Sequence, residues 1–394
     1  MVALLRSLLL LPALATHQQT GANAAPSPSP RVDSSRLIWR TLERNPSLPQ
    51  YDIIVSPQLV LTKNGSILSF VGARKCDPGV MGCEDNTGRH DVLVKRSDDG
   101  GATFGHAVLV HSESTATESQ VIGNPACVLD ERTGRLHCFM CRNNTQVLLS
   151  HSDTNGATWS AARDVTAMVK PSDWGWYATT FSAIQLKRQV HAAKNGRLVV
   201  CCDHQDHLDF KNNGNETWSH SHLLYSEDGV TWHVGATADR LTNECAVAEL
   251  ANGSLVMNSR DYLGQSSRTT HRAISWSHDG GETLSHVYRA PTLPDPVVEG
   301  SMATDAEGKM LVFVHPNSET ERENMTVFTS LNGGASWERR LLLDSAMGGG
   351  YSSVIALPNG SFAVQHDVGS TRWHRCSQAP DGHGCGERLQ IITL

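Results

Sequence analysis

One short motif recurs five times along the chain and limits what the chain can fold into. The first copy reads SDDGGATF at residues 97–104. The other copies read HSDTNGATW, YSEDGVTW, WSHDGGETL and SLNGGASW, at residues 151–159, 225–232, 276–284 and 330–337. Ser and Asp side chains accept hydrogen bonds from the amides of a tight turn, and Gly supplies the positive φ that such a turn needs. The motif therefore predicts a hairpin turn whose last residue, usually aromatic, pins it to the sheet.

The spacing of the copies predicts the architecture. Most gaps are a little over fifty residues, which is the length of one four-stranded blade with its connections. Short apolar runs around Asn-Gly turns indicate strands, as in VLTKNGSIL at residues 60–68, and long amphipathic helical patterns are nearly absent. We therefore predict an all-β protein, a six-bladed β-propeller with the repeated turns on its rim and the ligand in its central funnel.

The beginning of the chain differs from the rest. Residues 1–24 contain one Arg, the apolar run SLLLL and small residues suited to cleavage, which predicts a secretory signal peptide. Residues 25–36 are rich in Pro and Ser and are predicted to be disordered, so the propeller is expected to span residues 37–394. The apolar run is too short to span a bilayer, and no later segment has 18 apolar residues in a row. A secreted or lumenal protein is the expectation.

A secreted chain is expected to carry disulfides and glycans. The ten cysteines include two pairs that would each close a short loop, Cys76–Cys83 and Cys376–Cys385. The alternation around CFMC at residues 138–141 indicates a strand rather than a redox motif. Exposed turns in such a protein are where glycans are attached, and six Asn-x-Ser/Thr sequons are present: Asn64, Asn143, Asn215, Asn252, Asn324 and Asn359. The net charge of −7 argues against a surface that binds nucleic acid.

The repeated turns and the segments between them resemble those of sialidases (neuraminidases), in which the turns are called Asp boxes. NECAVAELANGSLVMNSR at residues 243–260 resembles the segment with the catalytic glutamate and a substrate-binding arginine. GGGYS at 348–352 resembles the motif with the tyrosine nucleophile, and RENMTVF at 322–328 and FVGAR at 70–74 resemble two further arginine sites.

The resemblance implies a retaining exo-α-sialidase that acts on sialylated glycans. Tyr351 would be the nucleophile and Glu244 its base, while Arg260 and Arg322 would bind the substrate carboxylate and Arg74 would contact the sugar ring. The chemistry explains the tyrosine, because the anomeric carbon of a sialic acid bears a carboxylate that repels an anionic nucleophile. A phenol has a pKa of about 10 and needs a base. Arginines bind a carboxylate through charge-assisted hydrogen bonds. The chemistry requires no metal and no cofactor.

A separate acid must protonate the leaving oxygen and later activate water. The family places it in the loop at residues 75–90, KCDPGVMGCEDNTGRH. Counting back from Ser97 leads to Asn86, and a one-residue insertion moves the position to Asp85. We predict Asp85 as the acid/base, with two alternatives in the same loop, Asp77 and Glu84.

Two positions depart from the family pattern. The first of three carboxylate-binding arginines corresponds to Val55, within VSP at residues 55–57. The glutamate that normally orients that arginine corresponds to Asp367. An arginine from residues 36–44 is one candidate replacement. The departures keep two alternatives open, a hydrolase of the same superfamily that acts on another acidic sugar, and a catalytically inactive, lectin-like propeller.

Two further clusters have more than one interpretation. Trp174, Trp176 and Tyr177 could line the substrate pocket or belong to the core. DHQDH at residues 203–207 has the residue types of a metal site, but its spacing favours a strand end that reaches the funnel.

Overall fold

The computed structural model describes residues 29–77, 85–115, 117–206, 218–263, 271–369 and 385–394. These residues form six four-stranded antiparallel sheets arranged around one axis. The prediction of an all-β, six-bladed propeller is confirmed. The predicted signal peptide at residues 1–24 lies outside the described residues.

In blades one to three the strands follow the chain outward from the axis. Blade one contains β2 (Ile53–Leu61), β3 (Ile67–Lys75), β4 (Arg89–Ser97) and β5 (Val108–His111). Blade two contains β6 (Ile122–Asp130), β7 (Arg135–Arg142), β8 (Gln146–Ser152) and β9 (Arg163–Asp164). Blade three contains β10 (Tyr177–Gln185), β11 (Leu198–Gln205), β12 (Ser219–Ser226) and β13 (His233–Thr237).

The other blades repeat the pattern. Blade four contains β14 (Thr242–Glu249), β15 (Leu255–Asp261), β16 (His271–Ser277) and β17 (Tyr288–Pro294). Blade five contains β18 (Ser301–Thr304), β19 (Leu311–Pro316), β20 (Met325–Ser330) and β21 (Glu338–Asp344). Blade six contains β22 (Ser352–Ala356), β23 (Phe362–Val368), β24 (Gly386–Thr393) and β1 (Arg31–Arg40). The helices described are α1 (Thr166–Val169) and a 3₁₀ turn (Ala192–Lys194).

The sixth blade is completed by the first strand of the chain. Strand β1 is antiparallel to β24, with Arg31 opposite Thr393 and Arg40 opposite Gly386. This strand corrects the prediction that residues 25–36 are disordered, because residues 31–36 belong to the propeller. Their polar sequence forms an outer strand, since the backbone of β24 supplies the hydrogen-bond partners.

Each hydrophobic core lies between two neighbouring blades. Apolar side chains from blades one and two form one cluster around Phe70 and Met140, and each other pair of neighbours forms a similar one. The last residue of each turn repeat enters the core between its own blade and the preceding one: Phe104, Trp159, Trp232, Leu284 and Trp337. For example, the Trp232 ring meets Phe139 of blade two at 4.6 Å between centroids. The pinning residue therefore joins blades and does not only fix its own turn.

The turn repeats have the hydrogen bonds expected of Asp boxes. In the first copy, the Gly101 amide donates to Ser97 Oγ at 2.8 Å, and the Thr103 amide donates to Asp99 Oδ1 at 2.8 Å. The copy in blade four repeats this pattern with Ser277 and Asp279. These bonds replace the backbone pairing that a tight turn cannot make for itself.

The copy in blade two departs from the pattern. Thr154 occupies the place of the acid, and its Oγ1 accepts from the Thr158 amide at 2.8 Å. The neighbouring Asp153 points away and pairs with Arg135 at 2.7 Å, with 56% of its side chain exposed. The aspartate in this copy of the motif is therefore not part of the turn.

The turns and the funnel lie at opposite ends of the strands. Strand β4 shows this, because His90 near its start lines the central cavity and Ser97 at its end begins a turn repeat. The seven residue steps from His90 to Ser97 span roughly 23 Å at the rise of a β-strand. The turn repeats are thus part of the scaffold, as predicted.

The described cysteines are buried or joined. Cys127 and Cys138, opposite each other on β6 and β7, form a disulfide that the sequence did not predict. Cys76 and Cys385 are disulfide-bonded, while their predicted partners Cys83 and Cys376 lie outside the described residues. Burial raises the pKa of the Cys141 thiol to about 12, which agrees with a structural strand rather than a redox motif.

We expect Asp279→Ala to lower the free energy of unfolding by about 1–3 kcal/mol, because several donors lose their acceptor. Burial raises the pKa of Asp279, but the bonds from Thr283 outweigh it and lower the pKa to about 2. The stabilisation is therefore complete above pH of about 4, the ordinary value for Asp, and is lost as the pH falls toward about 2. Urea denaturation measures the difference. Asp153→Ala is the matched control and should change little. Equal effects of the two substitutions would contradict the assignment.

Candidate active site

A cavity of about 320 Å³ opens on the axis of the propeller. It lies at the start of the innermost strands, where blades one, two, three, four and six all contribute side chains. Its volume is within the range of ligand sites in proteins. Of the six site residues predicted from the sequence, five line it: Arg74, Asp85, Glu244, Arg260 and Tyr351.

A short hydrogen bond in the cavity joins Tyr351 and Glu244. The Tyr351 hydroxyl donates to Glu244 Oε1 at 2.6 Å. Glu244 lies on β14, and Tyr351 directly precedes β22, so the bond joins blades four and six. Burial and the Glu244 charge raise the pKa of the Tyr351 phenol. The phenol is therefore neutral at rest, with a carboxylate in place to take its proton.

Arg260 holds the other oxygen of the same carboxylate. Its Nη1 donates to Glu244 Oε2 at 2.7 Å, and both side chains are mostly buried, at 13% and 14% exposed. Arg260 is on β15, hydrogen-bonded to β14, so the strand pairing sets this contact. The ion pair holds one oxygen of Glu244, so the other oxygen is oriented toward the Tyr351 hydroxyl.

The Tyr351 ring is fixed by packing and by its backbone. It forms a small apolar cluster with Phe181 and Val298, and its edge-to-face contact with Phe181 is 5.7 Å between centroids. Its amide donates to Asp367 Oδ2 at 3.2 Å, and the next amide, that of Ser352, donates to Glu299 Oε2 at 3.0 Å. Only 8% of the tyrosine is exposed, so the phenol has little freedom to leave Glu244.

Asp85 faces the cavity from the loop before β4. Its Oδ1 accepts from Arg74 Nη1 at 2.7 Å, and 63% of its side chain is exposed. Partial desolvation raises the pKa of Asp85, but the Arg74 charge and hydrogen bond outweigh it, and the pKa is lowered. Of the two alternatives, Asp77 is exposed and does not line the cavity, and Glu84 lies outside the described residues.

Arg322 lies beside the nucleophile rather than on the cavity wall. Its guanidinium lies 5.7 Å from the centre of the Tyr351 ring, and it donates to the carbonyl oxygens of Gly349 at 3.0 Å and Val297 at 3.3 Å. It therefore lies next to the tyrosine, and is not among the residues that line the cavity.

Val55 lines the cavity at the position where the family has its first arginine. It is 5% exposed and packs with Ile53 and Cys76, at a bulge in β2. No arginine of residues 36–44 replaces it, since none is among the described residues that line the cavity. Of the described residues, the arginines on the cavity wall are Arg74 and Arg260.

Further polar residues line the cavity, among them Asp203 and Gln205, which confirms the prediction of a strand end that reaches the funnel. Asp203 is 1% exposed and accepts from the Asn243 amide group at 2.7 Å, while burial and Glu244 raise its pKa. Three amides form a chain in which Asn124 donates to Asn144 at 2.8 Å and Asn144 donates to Asn86 at 2.9 Å. The run GNPAC at residues 123–127 contains Asn124 and was the available signal for these three amides.

The aromatic and histidine clusters divide between cavity and core. Trp176 lines the cavity, whereas Tyr177 is fully buried and Trp174 stacks on His204 at 3.3 Å between ring centroids. His207 lies outside the described residues. No group of His, Cys, Asp and Glu side chains among the described residues is arranged to hold a metal ion. The described part of the chain also contains no helix long and apolar enough to cross a membrane.

Comparison with known proteins identifies the class. A family model described as BNR repeat-like domain matches residues 82–364, which is more than half of the chain. The chain belongs to this family, and its propeller is of the sialidase type.

Individual relatives agree with this assignment. The chain is 29% identical over 401 residues to a sialidase of Micromonospora viridifaciens, covering 92% of this chain and 58% of that protein. It is 28% identical over 345 residues to a sialidase of Bacteroides fragilis, covering 79% of this chain and 59% of that protein. The chain thus spans about three fifths of these relatives.

Solved structures show the same fold. A Hadza microbial sialidase, Hz136, superposes with a TM-score of 0.70 at 24% identity, covering 87% of this chain and 66% of that one. Trypanosoma rangeli sialidase in complex with the inhibitor DANA gives a TM-score of 0.65 at 16% identity, covering 91% of this chain and 60% of that one.

We expect a double-mutant cycle on Arg260→Met and Glu244→Gln to give a coupling energy of about 2–3 kcal/mol. The pair is buried, so removal of either partner leaves the charge of the other uncompensated. The exposed Arg135–Asp153 pair has the same 2.7 Å separation and serves as the control, with an expected coupling below about 1 kcal/mol. Thermal and urea unfolding of the four variants of each cycle measure both values. Equal coupling in the two cycles would show that burial does not strengthen the pair at the cavity.

Proposed function

We propose that this protein is a retaining exo-α-sialidase that removes terminal sialic acids from glycoconjugates. The observation that carries the proposal is the 2.6 Å hydrogen bond from the Tyr351 hydroxyl to Glu244, inside a cavity of suitable size. A tyrosine bonded to a carboxylate in this way is an activated nucleophile. The family membership and the named relatives support the same conclusion. A secreted or lumenal location, which the predicted signal peptide and sequons favour, is part of the proposal.

In the first step the Tyr351 oxygen attacks the anomeric carbon while Glu244 takes the phenol proton. Asp85 gives a proton to the glycosidic oxygen, the bond to the leaving alcohol breaks, and the sugar is attached to Tyr351. In the second step Asp85 takes a proton from water, whose oxygen attacks the anomeric carbon and displaces Tyr351. Glu244 then returns the proton to the phenolate. Two inversions at the same carbon give overall retention.

The arginines have distinct tasks in this mechanism. Arg260 is placed to bind the substrate carboxylate, since it already holds an oxygen of Glu244 at the cavity wall. Arg322 would contribute from beside the Tyr351 ring, where its charge also favours the phenolate that leaves in the second step. Arg74 releases Asp85 when it contacts the sugar ring, so that Asp85 can take up its proton. Charge-assisted bonds of this kind are strong and directional.

Tyr351→Phe should lower the turnover of a fluorogenic α-sialoside by roughly a thousandfold or more, because the nucleophile is lost while the fold remains. Steady-state kinetics on the purified protein measure the effect. Tyr288→Phe is the control, since Tyr288 is 39% exposed and lies away from the cavity. Full activity of the Tyr351→Phe variant would rule out the tyrosine mechanism.

Asp85→Asn should affect substrates according to their leaving group. We expect a loss of about 10²–10⁴-fold on a natural sialoside, whose alcohol needs a proton to leave, and a much smaller loss on an aryl sialoside. Because the pKa of Asp85 is lowered, kcat/KM for the natural sialoside should rise toward acid pH, where Asp85 is protonated. Asp77→Asn is the matched control from the same loop. A loss with Asp77→Asn that depends on the leaving group would transfer the role to that residue.

A different acidic sugar is the second candidate substrate, and Val55 favours it. With Val55 at the position that the resemblance gives to the first of three carboxylate-binding arginines, a carboxylate lacks one charge-assisted bond, which is worth about 1.5–3 kcal/mol. A deaminated analogue assayed beside the ordinary sialoside shows which sugar is preferred. Glycan binding without hydrolysis of either sugar would identify an inactive, lectin-like propeller.

A further inference from the structure

Below the nucleophile lies a pair of buried acids, Asp367 and Glu387. They are directly opposite each other on β23 and β24, so their side chains project to the same side of the sheet. Asp367 is 7% exposed and Glu387 is fully buried. Asp367 also clasps Tyr351, since its amide donates to the Tyr351 carbonyl oxygen at 3.1 Å and its Oδ2 accepts from the Tyr351 amide at 3.2 Å.

Each acid has one oxygen that receives no donor. Asp367 Oδ1 and Glu387 Oε1 are buried and have no hydrogen-bond partner within the described part of the protein. Two adjacent carboxylates cannot both remain charged away from water, because burial and like charge both oppose ionisation. A single proton between the two groups supplies a bond to both oxygens. In agreement with this, burial raises the pKa of both groups, and the charge of Asp367 raises that of Glu387 further.

The surroundings favour one negative charge on the pair rather than two or none. The charges of Arg322 and Arg74 lower the pKa of Asp367. The buried acid Glu299 raises the pKa of Glu387. Two neutral contacts complete the environment. Gln365 Nε2 donates to Glu387 Oε2 at 3.5 Å, and the His366 ring lies 3.1 Å from the Asp367 carbonyl oxygen.

The glycine before the nucleophile is shaped to this arrangement. A Cβ added to Gly349 would lie 2.0 Å from Asp367 Oδ2, closer than any real contact. The absence of a side chain at residue 349 thus allows the carboxylate to reach the Tyr351 amide. The resemblance to sialidases assigns the Asp367 position to a glutamate that orients an arginine, and Val55 takes the place of that arginine here. The shorter Asp367 contacts the main chain of the nucleophile instead.

We propose that Asp367 and Glu387 are positioning residues that share one proton and together hold the Tyr351 backbone in place at the cavity. The proposal rests on the proposed function of Tyr351 as nucleophile. Neither acid touches the substrate, and both act through the tyrosine.

The first test replaces the shared proton by a permanent one. Glu387→Gln carries its hydrogen at every pH, so the pair no longer has to hold a proton that the unfolded chain releases. Since both folded pKa values are raised, the wild type loses stability as the pH rises above the unfolded value of about 4. We expect the melting temperature of the variant, relative to the wild type, to increase with pH. Asp344→Asn, which breaks the nearby partly exposed pair with Arg388, should give a difference with a different or no trend. If the difference in melting temperature between Glu387→Gln and the wild type does not change with pH, the proposal of a shared proton is wrong.

The second test separates positioning from packing. Asp367→Ala should lower kcat on an aryl sialoside by about 10–100-fold with little change in KM, because a small displacement of the nucleophile is costly. Asp367→Asn keeps an oxygen for the Tyr351 amide and an N–H for Glu387, and should restore most of kcat. Equal losses in the two variants would overturn the positioning role. The melting experiment needs no turnover, so an inactive wild type would count against the proposed function alone.

Discussion

The tyrosine at the centre of the cavity and the arginine beside it are both held by the carboxylate of Glu244. One oxygen accepts a hydrogen bond from the Tyr351 hydroxyl and the other accepts one from Arg260. The position of Glu244 therefore fixes both the phenol and the guanidinium. Arg260 comes from the same blade as Glu244, whereas Tyr351 comes from a blade that is not adjacent to it. The bond therefore requires the whole ring to be closed with the right radius. The cores between neighbouring blades determine that radius, since each core packs two blades against each other.

Asp367 and Glu387, beneath Tyr351, show how the structure can compensate for the valine at residue 55 of the cavity wall. In the resemblance to sialidases, Val55 takes the position of the arginine that an acid at residue 367 would otherwise bind. An uncompensated buried charge is expensive, and here the cost is reduced by a second acid, Glu387, at the opposing position of the sheet. The main chain of the nucleophile provides the remaining donor. The lack of an arginine at residue 55 is thereby linked to how Tyr351 is held on the other side of the cavity.

Local patterns determined how much of this was visible in the sequence. The turn repeats are closed by hydrogen bonds within a few residues, so they could be recognised and counted, and the resemblance located Tyr351, Glu244 and Arg260. Strand β1 was missed because its partner, β24, is more than three hundred residues away. Asp153 was assigned to its turn because the neighbouring Thr154 can take the same role, and only the three-dimensional contacts distinguish them.

The remaining misses concern groups whose role depends on burial. Glu387 is an ordinary acidic residue in the sequence, and only its enclosure in the folded protein raises its pKa. The place of Arg322 beside the Tyr351 ring could not be derived from the sequence, since the carbonyl groups that hold it belong to two separate loops. A motif can identify the type of residue in a site, but the direction in which its side chain points depends on distant parts of the chain.

The pairing of β1 with β24 has a consequence for synthesis on the ribosome. Strand β1 is synthesised before the other described strands and its partner after them, with a delay of roughly 20–70 s between the two at ordinary elongation rates. During that time β1 is an unpaired edge, which other chains could join. Its charged residues, including Arg31, Asp33 and Arg36, oppose such pairing. The polar sequence of this strand thus opposes aggregation before β24 is synthesised, and it also suits an outer strand of the finished propeller.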